Sequence, residues 1–334
     1  MTDTVQAVLR SSTAVSRHPS NPILSADDVP YHATLVFNAG VCKFQGRYVM
    51  VFRNDYGDAA AKRLDGVSLG LATSDDGVAW EVSPRPLYED RGHPLWGAYD
   101  PRLTVLDGRL YMCFARGASS GNGYLGTCGG LAVTDDLERW EVLSVSVPDN
   151  RNMVLFPQRF DGRFVRLERP FAGYLRPGDR FDTWISASPD GRYWGDSRPL
   201  MTASQVPWVN NKIGPGSPPV RTPKGWLSIY HGVDIDPSRS GWGWSGDWKK
   251  RYAAGVMLQD LDDPFKLIGY SRQPVLAPEA PYETAGGYRD YTIFPGGFVL
   301  EDDGEARIYY GAADTVECLA TADVGDLLDL CEPV

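Results

Sequence analysis

The 334-residue chain reads as an all-β protein, a five-bladed β-propeller of four-stranded antiparallel blades. Three observations predict it. An apolar run, a glycine-containing turn and a second β-prone run recur five times. A second unit, a strand ending in an acidic turn, trails each copy in the same order. No long stretch of helical periodicity interrupts them. Self-similarity at a fixed period marks an array, and four-stranded sheets repeated around a central channel make a propeller. A β-sandwich with accidental internal similarity does not explain why two sub-motifs keep one order.

The first unit occupies residues 34–53, 99–116, 151–169, 212–231 and 291–314, with turns at Gln45-Gly46, Asp107-Gly108, Asp161-Gly162, Lys224-Gly225 and Asp303-Gly304. Asp-Gly between β-rich runs is a strong hairpin signal. The second unit occupies 69–82, 129–142, 183–196, 253–269 and 318–330, and in its first three copies the acidic turn precedes an aromatic residue. The turn glycines recur about every 60 residues, stretched in the last copy, as expected for one blade per repeat. Helical turns are expected only near 324–330 and 26–29. The segments 86–98, 172–182 and 234–251 carry Gly, Pro and Trp and read as long loops. The organisation expected is one propeller domain over 1–334, with 1–30 as an N-terminal extension and a site on one axial face.

Composition narrows the function classes. With 33 Lys+Arg against 43 Asp+Glu the net charge is −10, a poor balance for nucleic-acid binding unless positive charge is concentrated. The first twenty residues hold no apolar h-region, and no run approaches a membrane span. Cys42, Cys113, Cys128, Cys318 and Cys331 are odd in number, form no CxxC pair, and in the case of Cys42 and Cys113 sit in apolar runs. A reducing cytoplasm is the expected compartment. His18, His32, His93 and His231 lie far apart, so no metal site is expected.

A hairpin brings the start of its first strand and the end of its second to one edge. The first-strand starts offer Asn38, Asp100, Arg151 with Asn152, Lys212, and Asp290 with Tyr291; the second-strand ends offer Arg53, Arg116, Arg169, His231 and Asp314. Any one of these is ordinary on a solvated strand. Together they point several cations at one axial opening of an acidic protein, which predicts an anion site. Arg suits bidentate recognition of phosphate, and Arg151, Arg169, Lys212 and His231 form the expected cage. Hydrolysis of a glycoside normally uses two carboxylates; an attacking phosphate is already anionic and needs no base. One acid, Asp100, beside a cation cage fits phosphorolysis better.

The series NPIL (21–24), VFNAG (36–40), YDPRLT (99–104), RNMVLFP (151–157), RLERP (166–170), KIGPGSPPVRTPKGWL (212–227), YHGVD (230–234) and IYYGAAD (308–314) resembles glycoside hydrolase family 130, in order along nearly the whole chain. That family comprises five-bladed propellers, mainly inverting β-mannoside phosphorylases. The resemblance implies that Asp100 is the catalytic acid, acting through the 3-hydroxyl of the mannosyl unit. It implies phosphate binding by Arg151, Asn152, Arg169, Lys212 and His231, and a mannosyl pocket at Asn38, Arg53 and Asp314. The implied reaction is β-mannoside plus inorganic phosphate giving α-mannose 1-phosphate and a shortened sugar, with no cofactor beyond phosphate as co-substrate. Tyr99 stands where the family often has Glu. A β-mannosidase on the same fold and a non-catalytic sugar-binding propeller are the alternatives. The Trp-rich loop 238–248 either stacks on an acceptor sugar or packs on itself. Linkage, acceptor and assembly into a homo-oligomer are left open by the sequence.

Overall fold

At three of the predicted turns both residues take positive φ: Gln45-Gly46 (51° and 82°), Asp107-Gly108 (52° and 76°) and Asp161-Gly162 (50° and 75°). This is the two-residue geometry whose twist matches antiparallel strands, and it favours Asn, Asp and Gly. The structure, a computed structural model, describes residues 9–120, 123–171, 180–244 and 246–334. The five hairpins grow into five sheets that form a five-bladed propeller.

Blade 1 runs Leu35–Phe44, Arg47–Asp58, Arg63–Ser74, Glu81–Val82. Blade 2 runs Ala98–Leu106, Arg109–Ser120, Gly123–Thr134, Glu141–Val145. Blade 3 follows with Asn150–Leu155, Phe164–Pro170, Thr183–Ser188, Gly195–Met201. Blade 4 departs from four strands. Its inner strand is split into Lys212–Pro215 and Val220–Thr222, because Pro218 and Pro219 cannot donate to a ladder, and Glu332–Pro333 pairs outside Leu267–Tyr270. Its central strands are Gly225–Ile235 and Lys250–Gln259, so the expected loop 234–251 is shorter by two residues at each end.

Blade 5 closes the ring. Ile293–Leu300, Glu305–Ala312 and Val316–Asp323 come from the end of the chain, and Val15–Arg17 supplies the fourth strand, with Val15 opposite Ala322 and Arg17 opposite Ala320. Residues 15–17, expected in an N-terminal extension, are therefore part of a blade. Arg17 locks the seam: its Nε and Nη2 donate to the buried carboxylate of Glu283 at 2.7 and 2.8 Å, which also accepts from Tyr310 and two backbone amides.

The alternating strands bury their apolar residues between blades rather than in one centre. Val49, Val51, Leu110 and Met112 join blades 1 and 2; Tyr111, Cys113, Met153 and Leu155 join 2 and 3; Val165, Ile185, Trp226 and Tyr230 join 3 and 4; Leu227, Ile229, Phe298 and Ile308 join 4 and 5; Met50, Phe52, Tyr309 and Leu319 join 5 and 1. All five cysteines are free, and burial pushes the Cys113 thiol up to about 12, so it acts as a small hydrophobe. The helical turns appear at Ala26–Asp28 and Val324–Asp329. Two more, Ala203–Gln205 and Pro281–Thr284, were not expected. Of the expected loop 172–182, residues 172–179 lie outside the described residues. No helix among the described residues is long and apolar enough to cross a membrane.

Candidate active site

The site begins with backbone irregularities at equivalent places. In blades 1, 2 and 3 the ladder between the first two strands slips just after its start, between Phe37 and Gly40, Tyr99 and Arg102, and Arg151 and Val154. Inside each slip stands a residue with positive φ: Asn38 (53°), Asp100 (50°) and Asn152 (57°). Asn and Asp are the non-glycine residues that tolerate this region, and such bulges re-aim side chains beside active sites. Asp100 also precedes Pro101, a position that normally favours extended backbone. Holding it at 50° costs of order 1–3 kcal/mol, which surrounding contacts must supply.

Two buried groups beneath the bulges do so. Arg102, 2% exposed, reaches across the axis: its Nε donates to the Gly216 carbonyl of blade 4 and its Nη1 to Pro101 O at 2.7 Å, with the guanidinium 5.0 Å from the centre of the Phe294 ring. Glu317, fully buried, accepts from the Ala39 amide at 3.0 Å and so pins the Asn38 bulge. Burial pushes its carboxyl up to about 8, against the pull of that amide and Arg102.

The bulges aim their residues into one axial cavity lined by Asn38, Arg53, Asp100, Arg151, Asn152, Arg169, Lys212 and Asp314, the sequence-predicted residues, and by Tyr99, Trp248, Tyr252, Arg289, Thr292 and Phe294. Asp100 Oδ1 accepts from Asn38 Nδ2 at 3.0 Å and Arg53 Nη1 at 3.3 Å. Burial alone would raise its carboxyl. Arg53, Arg102, the Asn38 hydrogen bond and Arg151 outweigh that and hold it below the usual carboxylate range. Arg53 is itself clamped by Asp55 at 2.8 and 2.7 Å. Asp314, raised mainly by burial, is paired with Arg289 at 3.0 Å. Two carboxyls in one cavity are thus pushed in opposite directions.

The cations opposite are not balanced. Among the described residues no carboxylate pairs with Arg151, Arg169 or Lys212. Burial, reinforced by Arg151, brings Arg169 down to about 9. Burial with Arg169 and Lys250 nearby holds Lys212 well below its ordinary value. Positive groups this poorly compensated form a ready receptor for a small polyanion.

Two predicted positions come out differently. His231 is fully buried and does not line the cavity; its Nε2 lies 3.0 Å from Arg169 Nη1. A guanidinium only donates, so Nε2 accepts and the ring is neutral, in keeping with a pKa held well below normal by burial and by Arg169. It orients Arg169 from behind. Arg116 is outside the cavity and reaches Pro94 O at 3.4 Å. The register explains this: Arg53 faces Phe37 and Arg169 faces Arg151, each one residue before the bulge, whereas in blade 2 that place, opposite Tyr99, belongs to Ala115. A one-residue offset turns the side chain to the other face.

Asp290 accepts from the amides of Gly287 and Gly243 and shapes the loop, while its neighbour Arg289, missed by a rule confined to strand ends, enters the cavity. The Trp-rich loop divides its roles. Trp248 lines the cavity, stacked on Tyr252 at 5.8 Å with its buried indole N–H unpartnered, and Arg289 lies 4.6 Å over it. Trp242 and Trp244 instead pack on Tyr291 and Tyr288.

The Glyco_hydro_130 family model, described as beta-1,4-mannooligosaccharide phosphorylase, matches residues 14–333. The chain belongs to that family. A beta-1,4-mannooligosaccharide phosphorylase of Ruminococcus albus is 31% identical over 325 residues, covering 94% of this chain and 89% of the relative. A 1,2-beta-oligomannan phosphorylase of a Thermoanaerobacter species is 30% identical over 295 residues, covering 87% and 91%. The solved structure of beta-1,2-mannobiose phosphorylase from Listeria innocua shares the fold, with a TM-score of 0.78 at 24% identity over 95% of this chain and 98% of that one. As a member of the glycoside hydrolase 130 family the chain is an enzyme of glycoside phosphorylase type.

Proposed function

We propose that this family member is an inverting phosphorylase of β-mannosides. Inorganic phosphate sits against Arg151, Asn152, Arg169 and Lys212, with His231 bracing Arg169. The mannosyl ring lies against Asn38, Arg53 and Asp314, joined by Arg289. A phosphate oxygen attacks the anomeric carbon from the face opposite the leaving group. As that bond forms, the glycosidic C–O bond breaks, and the leaving oxygen takes up the Asp100 proton, relayed through the 3-hydroxyl of the mannosyl unit as the family resemblance implies. The products are α-mannose 1-phosphate and the shortened sugar. Asp100 must be protonated to act, yet its cationic neighbours favour its ionised form. The phosphate charge offsets Arg151 and moves Asp100 towards its acid form, so the co-substrate prepares the catalyst.

The observation that carries this reading is the set of three cations, buried Arg169 and Lys212 and half-buried Arg151, that have no carboxylate partner among the described residues in the cavity that holds Asp100. A hydrolase needs a second carboxylate free to activate water, and Asp314 is engaged by Arg289. Relatives of nearly equal identity act on different linkages by their names, so the choice among β-1,2, β-1,3 and β-1,4 falls to assay. The deciding experiment is sugar release from β-1,4- and β-1,2-mannobiose with and without phosphate. Phosphate-dependent appearance of mannose 1-phosphate is expected; equal rates in both buffers would replace the reading with hydrolysis.

A further inference from the structure

A second cavity, of about 280 Å³, opens at the same end of blade 1 as the axial site. Consecutive residues divide the two: Arg53 faces the axial cavity, and Asn54, on the other side of the pleat, lines this one. Tyr56, Tyr88 and Trp96 supply aromatic surface, while Asn54, Ser68, His32 and one carboxylate, Glu89, supply polar edges. We propose that this cavity is a sugar site separate from the axial one, taking a neutral pyranose ring.

Three features support that ligand class. First, no Lys or Arg is among the described residues that line it, in contrast to the axial cavity, so an anion is disfavoured. Second, the lining mixes aromatic faces with hydrogen-bonding edges, which matches a pyranose, with its C–H faces and hydroxyl rim, better than a purely apolar ligand. Third, Asn54 is 1% exposed and clamped with an acceptor left over. Both Nδ2 hydrogens are used, on His32 O at 3.1 Å and Ser68 Oγ at 3.0 Å, while Oδ1 has no donor. Buried acceptors in native proteins are almost always satisfied, so Asn54 stands at the cavity wall with hydrogen-bonding capacity to spare.

The walls are also held by contacts of their own. Tyr88 donates its hydroxyl to Ala98 O at 3.1 Å and stacks on His93 at 5.6 Å, and His32 contacts Tyr56 at 5.6 Å. Pre-ordered rings reduce the entropy lost on binding. A volume near the lower end for ligand pockets suits one or two rings.

The choice of mannoside as probe rests on the reading of the axial site, and the test separates the two. Uniformly ¹⁵N-labelled protein is titrated with methyl β-mannoside, a single ring too short to bridge the cavities, while the indole N–H signals of Trp96 and Trp248 are followed; Trp96→Phe and Trp248→Phe assign them. Both signals are expected to move. Tyr56→Ala, and at an exposed position His32→Ala, should weaken the Trp96 response by about three- to tenfold and leave that of Trp248. A Trp96 signal that stays still, or a response untouched by both variants, overturns the second site. Movement of Trp96 with a silent Trp248 would retain the second site and sink the mannoside reading of the axial one.

Discussion

Replacing Arg169 by Met separates what the cage does for phosphate from what it does to the fold. Arg169 is 2% exposed and has no carboxylate partner among the described residues, and its guanidinium is brought down to about 9. A rise of roughly three to four powers of ten in acidity corresponds to on the order of 5 kcal/mol for holding that charge in the protein without phosphate. Met keeps much of the volume and removes the charge. Losing the contact with buried His231 gives back about 1–3 kcal/mol of that gain. Without phosphate, Arg169→Met is therefore expected to match the wild type or exceed it by up to ~2–4 kcal/mol. At about 0.7 kcal/mol/K for a chain of this length, that is roughly 3–6 °C in Tm. With phosphate that gap closes or reverses. The wild type at a hundredfold excess over Kd gains about 2.7 kcal/mol, or ~4 °C. The variant, lacking a buried charged contact worth about 2–5 kcal/mol, binds phosphate ~30- to 4,000-fold more weakly and gains almost nothing. Thermal unfolding with and without phosphate, together with the phosphate KM, reads both arms. A variant clearly less stable than wild type in phosphate-free buffer, or one whose phosphate KM stays within about threefold, would refute the reasoning.

Other consequences follow from the same geometry. Asp100→Asn should lower kcat by about 10²–10⁴ through loss of the acid, with Tm little changed; near-wild-type turnover would reject the assignment. Glu317 carries a carboxyl raised from 4.5 to about 8. The folded protein therefore binds its proton more tightly than the unfolded chain, and this contribution is full below pH 4.5 and lost as pH rises through 8. The total is on the order of 5 kcal/mol, and Glu317→Gln should flatten the Tm-against-pH curve between those limits; an unchanged slope would assign the dependence elsewhere. Arg17→Ala leaves the buried Glu283 carboxylate without its cation and should cost about 3–5 kcal/mol, partly discounted because Arg17 is one-fifth exposed. Adding Glu283→Gln should recover part of that loss in a denaturation series, and no recovery would argue against the seam as described.

Much of the fold was legible because its signals are local. Asp-Gly turns and alternating runs specify hairpins without reference to anything distant, and five hairpins in one order specify blades. What was not legible depends on pairing between distant segments. That Val15–Arg17 belongs with Ala320–Ala322 follows from a register linking the two ends of the chain, and three residues carry too little pattern to announce it. At the site, the edge rule found Asn38, Asp100, Asn152, Arg53 and Arg169, because strand ends meet where bulges form. It overreached at Arg116, one residue out of register, and it missed Arg289, which enters from a loop. A sharper signal was present in the residue types: Asn, Asp and Asn at matching places in three blades are the residues that accept positive φ. His231 was expected in the cage itself, whereas its Nε2 meets Arg169 from behind and the residue does not line the cavity.

The pairing of Val15–Arg17 with the final blade also bears on when the enzyme becomes active as it is made. A chain leaving the ribosome folds its early blades while the last is still being translated, and the closing contact spans almost the whole sequence, the kind of long-range pairing that forms late. Asp100 and the cage come from blades 2, 3 and 4, but Asp314 and Arg289 emerge only near the end. The cations of blades 3 and 4 are therefore translated before the residues that complete the other side of the cavity.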